Sequence, residues 1–299
     1  MRKNNFFSKN LSYFMFAPYA ILFILFIVIP VALAIGLSFT YYNTIEAPKF
    51  VGLQNYIDLF TNDDIFMKYV FPNTVKYAVF VGVGGYVLAF FLAWLLSQVQ
   101  KGPRTIMTII IYSPSMTGGV MLSTIWSVIF NGSETGYLNY ILLKFNVIDQ
   151  PIVWLSSSEH LMVIMIIIAL WSSMGIGFLS MLSGILSVNE ELYEAAYIDG
   201  IKNRFQEIIY ITIPAAKPQM LFGAVMAIVN TFQSSGMGVA LSGANPTPGY
   251  AGQLIVTHIE DYGNIRYEMG YAAAISVVLL VGIYLMSRGV NKVLGSKDE

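Results

Sequence analysis

The chain has 299 residues, of which 56% are hydrophobic and only 11% are charged, and its mean hydropathy is +0.66. Soluble domains carry roughly 25% charged residues, so this composition excludes a soluble globular protein and indicates a chain dissolved in lipid. The net charge of −1 gives no electrostatic basis for binding nucleic acid. Without cysteine, and with only two histidines, the sequence offers no usual metal-ligand set and no cysteine nucleophile. We therefore expect neither a metal site nor a catalytic site.

Six long stretches without charged residues divide the chain, and each reaches the roughly 17–25 residues that a helix needs to cross a bilayer. They predict an all-α polytopic membrane protein with transmembrane helices near residues 12–39, 75–97, 105–130, 160–187, 216–240 and 269–289. The first stretch ends in VALA, as a signal peptide does. Because it is too long for the apolar core of a signal peptide, we interpret it as an anchored helix.

The distribution of positive charge predicts the orientation. Six crossings place both termini on the same side of the membrane. If that side is the cytoplasm, the positive-inside rule is satisfied. Eleven of the sixteen Lys and Arg residues are then cytoplasmic, namely Arg2, Lys3, Lys9, Lys101, Arg104, Lys202, Arg204, Lys217, Arg288, Lys292 and Lys297. We therefore predict a multi-pass membrane protein with cytoplasmic termini.

Away from their ends, the six predicted helices contain no Asp, Glu, Lys or Arg. Ion-coupled carriers commonly hold ionisable residues there, and an intramembrane protease would need paired carboxylates. The sequence also lacks a Walker motif for ATP. These absences favour a pore that takes its energy from another protein. A secondary carrier that binds sodium through neutral oxygens stays open as an alternative, whereas an intramembrane enzyme is the weakest interpretation.

A polar loop separates the fourth and fifth predicted helices, over residues 187–218. Asn189 is a predicted helix cap, and the acidic pair Glu190–Glu191 suits the first turn of the helix that it would begin. Gly200 permits a sharp turn, and a second helical stretch is predicted from Arg204 to Ile213. The residues alone allow two interpretations. The loop docks into a cleft of a partner, or it caps the helix bundle.

The stretch EAAYIDG (194–200), followed by ITIP (211–214), resembles the EAA loop of binding-protein-dependent ABC importer permeases. The pattern is kept except that Ile201 replaces a usual alanine and Ile213 replaces the commoner leucine. The resemblance implies a type I importer transmembrane domain with a coupling helix that fits a groove on a cytoplasmic ATPase. The implied contact residues are Glu194, Ala195, Ala196, Tyr197, Asp199 and Gly200.

Other segments resemble the sugar-permease branch of that family, in the expected order. They are FVGLQNYIDLF (50–60), YSPSMTGGVMLSTIWSVIFN (112–131) and MGYAAAIS (269–276), whereas the segment at 241–259 has GANP where the branch has GGP. The resemblance implies a permease domain over residues 73–290. An N-terminal tail, first helix and external loop (1–72) precede it, and a cytoplasmic tail (291–299) follows.

The resemblance also implies a location in the bacterial inner membrane, and it implies the partners. These are a second permease subunit in a heterodimer, two ATPase subunits that hold ATP and magnesium, an extracytoplasmic solute-binding protein and membrane lipid. This chain would then carry no cofactor and no enzyme activity. The implied solute is a carbohydrate such as a di- or oligosaccharide, and another solute for the same architecture is the alternative.

Candidate residues for the solute path are neutral, because a sugar needs hydrogen bonds and stacking faces rather than charge. Asn230, Gln233 and Ser234 share one face of the predicted fifth helix, and Trp171 lies in the fourth. Hydrogen bonding between helices is the alternative role for these side chains.

Overall fold

The computed structural model describes residues 11–295, which form helices joined by loops and one short strand pair. Strands β1 (Thr40–Tyr41) and β2 (Lys49–Phe50) pair antiparallel, with Thr40 opposite Phe50. The helices before residue 150 are α1 (Tyr13–Leu37), α2 (Gln54–Thr61), α3 (Phe66–Ser97), α4 (Lys101–Met116, whose last turn is 3₁₀), α5 (Gly119–Ile129) and α6 (Tyr137–Lys144).

The later helices begin with α7 at residue 161. They are α7 (Leu161–Ser172), α8 (Ile176–Leu186), α9 (Glu190–Ile198), α10 (Arg204–Ala215), α11 (Lys217–Phe232), α12 (Met237–Ser242), α13 (Ile255–Glu260, continued by the π-helical turn Asp261–Ile265) and α14 (Met269–Leu294). The outermost parts of the predicted tails, residues 1–10 and 296–299, lie outside the described residues.

Helices α1, α3 and α14 are each long and apolar enough to cross a membrane unbroken. Three bent pairs satisfy the same test only when each pair counts as one span, namely α4 with α5, α7 with α8, and α10 with α11. The bend is 43° between α7 and α8 and 82° between α10 and α11. The described residues thus hold three unbroken candidate spans, or up to six with the pairs, and the count of six stays a prediction.

Several predicted helix boundaries were wrong. The second predicted helix begins at Phe66 instead of near residue 75. The prediction stopped at the charge of Lys76, whereas Lys68 lies at the exposed surface of the same helix and pairs with Asp64 at 3.1 Å, so these charges do not interrupt it. The fifth predicted helix ends at Phe232, eight residues early. Gly236 follows with φ +69, a left-handed conformation that breaks the helix before α12.

The described part of the chain divides into two compact units. In the first, formed by residues up to Asp63 with 259–278, hydrogen bonds hold the segment after α1. The buried Asn55 amide donates to the backbone oxygens of Ser38 and Thr40, each at 2.9 Å. The Asp63 carboxylate accepts a hydrogen bond from the Tyr271 hydroxyl at 2.9 Å.

The second unit, residues 64–258 with the described residues from 279 onward, contains a close crossing of two helices. A Cβ atom added to Gly177 would lie 3.2 Å from the Gly223 Cα, so α8 and α11 approach backbone to backbone. Small residues permit such close crossings between membrane helices, where dispersion contacts drive association. The same unit contains both the cavity and the exposed loop described below.

Candidate functional site

The exposed loop begins at a capped helix, as predicted. The Asn189 side chain accepts a hydrogen bond from the Glu191 backbone N–H at 3.1 Å, and Glu190 and Glu191 occupy the first turn of α9. The cap satisfies one backbone donor, and the two carboxylates lie at the positive end of the helix dipole. The local sequence therefore specifies where α9 begins.

Gly200 ends α9 in a Schellman turn. Its φ is +100, which an L side chain rarely adopts. The Ile201 N–H donates to the Ala196 oxygen at 3.0 Å, and the Gly200 N–H donates to the Tyr197 oxygen at 3.3 Å. These two bonds satisfy carbonyls that the helix end would otherwise leave free, so the sharp turn predicted at Gly200 is confirmed.

A buried carboxylate, Glu207, joins α9 to α10. Its side chain accepts hydrogen bonds from the Tyr197 hydroxyl at 2.8 Å and from Arg204 at 2.8 and 3.0 Å, and the residue is only 4% exposed. The hydrogen bond to Glu207 raises the pKa of the Tyr197 phenol. Asn203 caps α10 by accepting from the Gln206 N–H at 2.9 Å. The two short helices are therefore braced against each other.

The sequence prediction did not identify Glu207. The spacing of Arg204 and Glu207, three residues apart on one helix, was available as a signal for an ion pair. The predicted helical stretch from Arg204 to Ile213 is confirmed, and the helix continues to Ala215.

The outer surface of the loop combines charge with exposed apolar side chains. Glu194 and Asp199 are exposed, and the Glu194 carboxylate has no hydrogen-bond partner among the described residues. Ile198 is 86% exposed and Phe205 is 70% exposed, on either side of the Gly200 turn. Exposed apolar groups of this size, rimmed by charge, are typical of a surface that another protein covers.

A cavity of about 560 Å³ lies within the second unit. Its volume falls in the range of small-molecule sites. The described residues around it are tyrosines, small hydroxyl residues, one amide and apolar side chains. The polar members are Tyr77, Tyr86, Tyr112, Ser115, Ser172, Ser173, Asn230, Thr231 and Ser234.

Three breaks between consecutive helices border this cavity. Ser115 lies at the end of α4, Ser173 and Gly175 lie between α7 and α8, and Ser234 lies between α11 and α12. Irregular backbone at membrane depth is tolerated where it lines a cavity, because there the unpaired peptide groups can find partners. Transporters commonly build their binding sites from such discontinuous helices.

Hydrogen-bonding capacity remains in the cavity wall. The Ser115 hydroxyl donates to the Tyr112 oxygen at 2.7 Å and the Ser173 hydroxyl donates to the Leu170 oxygen at 2.8 Å, so both keep lone pairs for a ligand. The Asn230 amide has no hydrogen-bond partner among the described residues. Such a wall can both donate to and accept from a hydroxylated ligand.

The structure brings together only part of the predicted solute path. Asn230 and Ser234 line the cavity, and the Ser234 hydroxyl lies 3.2 Å from the Tyr77 hydroxyl. Gln233 is exposed and Trp171 packs edge-on against Trp126 at 5.4 Å, and neither lines the cavity. The prediction that Asn230, Gln233 and Ser234 share one helical face was wrong, because the helix ends at Phe232.

The tyrosines of the cavity were not predicted. Tyr77, Tyr86 and Tyr112 come from α3 and α4 and meet Asn230 only in the folded chain. The available signal was a polar hydroxyl within an apolar run, but tyrosine at the ends of membrane helices is also common as an interfacial anchor.

Candidate membrane spans, a cavity bordered by broken helices and a braced, exposed loop define the membrane-embedded subunit of a transporter. The chain belongs to the family of binding-protein-dependent transport system inner membrane components, whose sequence model matches residues 83–293. Family members are transport permease subunits of the inner membrane. The predicted domain limits of 73–290 stay a prediction.

Two relatives illustrate the range of the family. The chain is 32% identical over 292 residues to the arabinooligosaccharides transport system permease protein AraP of Bacillus subtilis (strain 168), covering 97% of this chain and 91% of the relative. It is 25% identical over 281 residues to the sn-glycerol-3-phosphate transport system permease protein UgpA of Escherichia coli (strain UTI89 / UPEC), covering 94% and 92%.

Two solved structures have the same fold. One is a bacterial ABC transporter involved in the import of the acidic polysaccharide alginate, with a TM-score of 0.80, 23% identity and 98% of each chain covered. The other is a bacterial alginate ABC transporter in complex with an alginate pentasaccharide-bound periplasmic protein, with a TM-score of 0.78, 25% identity and 99% of each chain covered.

Proposed function

We propose that this chain is the membrane-spanning permease subunit of an ATP-driven importer that takes up a carbohydrate, a di- or oligosaccharide. One observation supports this function above all: three helix breaks border a cavity lined by neutral polar and aromatic side chains. A sugar presents hydroxyl groups and apolar ring faces, and both have partners in such a wall. The relatives named for arabinooligosaccharides support the same solute class.

The EAA loop, residues 187–218, is where the proposed ATPase docks. Glu194, Ala195, Ala196, Tyr197, Asp199 and Gly200 belong to α9 and the turn that ends it. The exposed Ile198 and Phe205 supply apolar surface for the contact. Because Glu207 braces α9 against α10, movement of a docked ATPase reaches α11 through α10. ATP and magnesium belong to that partner and not to this chain.

The remaining partners follow from this function. A second permease subunit completes the path across the membrane, two ATPase subunits supply energy, and an extracytoplasmic binding protein delivers the solute. The solved relative in complex with a periplasmic protein supports the last of these. The EAA loop and both termini then face the cytoplasm.

Uptake in proteoliposomes tests the coupling. The chain is co-reconstituted with its partner permease, ATPase and binding protein, and wild type is compared with a Glu194→Lys plus Gly200→Asp variant. We expect this variant to assemble but to lose ATP-dependent uptake and the stimulation of ATPase activity by loaded binding protein. Glu134→Lys, a charge reversal at an exposed residue outside the loop, is the matched control and should retain uptake. A loop variant with full uptake would show that the loop does not couple.

A further inference from the structure

We propose, resting on the function above, that the cavity of this chain holds the solute itself and admits only uncharged, polyhydroxylated molecules. Sugars that carry a carboxylate or a phosphate are excluded. The family serves both kinds of solute, since the names of its members include arabinooligosaccharides and sn-glycerol-3-phosphate. The composition of the cavity wall assigns this chain to the uncharged class.

No lysine, arginine or histidine occurs among the described residues that line the cavity, and no aspartate or glutamate does either. An anion that entered would meet no opposite charge in the part of the wall that this chain supplies. Desolvation of an unpaired charge is far more costly than that of a hydroxyl group that finds a hydrogen bond. A neutral sugar meets no such penalty in the same space.

The wall also matches both surfaces of a sugar ring. The Asn230 amide offers two donors and one acceptor oxygen, and it has no hydrogen-bond partner among the described residues. The Ser115 and Ser173 hydroxyls already donate to backbone oxygens and so present acceptors. Tyr112 and Met226 supply faces for the apolar side of the ring.

The exclusion of anions acts at the cavity and is separate from the choice that a binding protein makes. We would therefore measure binding without that protein. The chain is purified with its partner permease and ATPase subunits in nanodiscs, and saturation-transfer difference NMR is recorded with arabinotriose, maltotriose and trigalacturonate. The same preparation, supplied with binding protein and ATP, is assayed for carbohydrate uptake.

We expect saturation transfer to one or both neutral trisaccharides and none to trigalacturonate. Asn230→Ala should weaken binding of the neutral sugar by roughly fivefold, the loss expected when a hydrogen-bonding group is removed. Asn230→Lys should introduce a signal for trigalacturonate, because it places a cation in the wall. Gln100→Ala removes an exposed amide that does not line the cavity and should leave binding of all three sugars unchanged.

The exclusion of anions would be overturned if wild type binds trigalacturonate and Asn230→Ala binds it more weakly. A preparation that takes up a neutral sugar but shows no Asn230-dependent binding would overturn the assignment of the solute to this chain, while the proposed function would stand. If no carbohydrate is taken up although ATPase and binding protein are active, the proposed function itself fails.

Discussion

At the scale of single residues, the EAA loop depends on a carboxylate outside the EAA motif. Glu207 is 4% exposed and accepts hydrogen bonds from Tyr197 on α9 and Arg204 on α10. The Arg204 side chain is 61% exposed, so water weakens that ion pair. Tyr197 is itself 48% exposed. Its hydrogen bond is nevertheless the one that joins the two helices, because Arg204 lies on α10 together with Glu207.

Replacing Glu207 with alanine should loosen α9. Hydrogen bonds to a charged group contribute about 1.5–3 kcal/mol, and we expect local stability to fall by about 2 kcal/mol while the helix bundle stays folded. Hydrogen exchange of the amides from Ala196 to Ile201 would report the loss, with Glu134→Ala as the control. Glu207→Gln keeps one acceptor for the Tyr197 hydroxyl, so its amide protection should lie between that of Glu207→Ala and that of the control. Unchanged protection in Glu207→Ala would show that the brace is not needed.

At Gly200, the effect of a substitution can be predicted from backbone conformation alone. A Cβ atom added there meets nothing within 4 Å, but the φ of +100 is strained for any L side chain. Gly200→Ala should thus cost about 1–2 kcal/mol, seen as faster hydrogen exchange at the end of α9. Gly102→Ala, also in open space but with a φ that suits alanine, is the matched control. If Gly200→Ala and Gly102→Ala showed the same hydrogen exchange at the end of α9, the assigned turn would be contradicted.

At the scale of elements, apolar length predicted where the candidate spans lie but not which of them are broken. Charge-free runs locate spans because lipid excludes charge from a helix. The serines at 172–173 and 234–235 are also compatible with hydrogen bonding between intact helices, so the sequence left their role open. The break after α11 contains Gly236 with φ +69, and a glycine within an apolar helical pattern does not by itself show whether the helix stops there.

Glu207 illustrates the same limit. Its hydrogen-bond partner Tyr197 lies ten residues earlier and on another helix. The cap at Asn189 and the turn at Gly200 depend only on adjacent residues and were predicted. For the cavity, Asn230 and Ser234 were found by their polarity, while the three tyrosines become neighbours only through tertiary packing.

Packing between α8 and α11 should be sensitive to added volume. At Gly177 a valine would press its Cβ against Gly223 and force the helices apart, and overpacking of this kind costs about 1–3 kcal/mol. We expect Gly177→Val to lower the thermal unfolding temperature of the purified complex. Gly282→Val, in α14, meets nothing within 4 Å and should leave that temperature nearly unchanged. A similar shift for both variants would argue against the close crossing.

At the scale of the whole molecule, the chain combines a cavity and an exposed loop with a cavity wall that, among the described residues, holds no Asp, Glu, Lys, Arg or His. A carrier driven by protons would need such a group in its path. We therefore expect the energy for transport to come from the ATPase through its contact with the EAA loop.

Uptake of a neutral trisaccharide into proteoliposomes, with the energy source varied, tests this account most directly. Wild-type chain, partner permease, ATPase and binding protein are reconstituted, and uptake is measured with ATP alone and then with a sodium or proton gradient but no ATPase. We predict uptake with ATP and none with either gradient. Gradient-driven uptake without the ATPase would contradict the account and make the chain a secondary carrier.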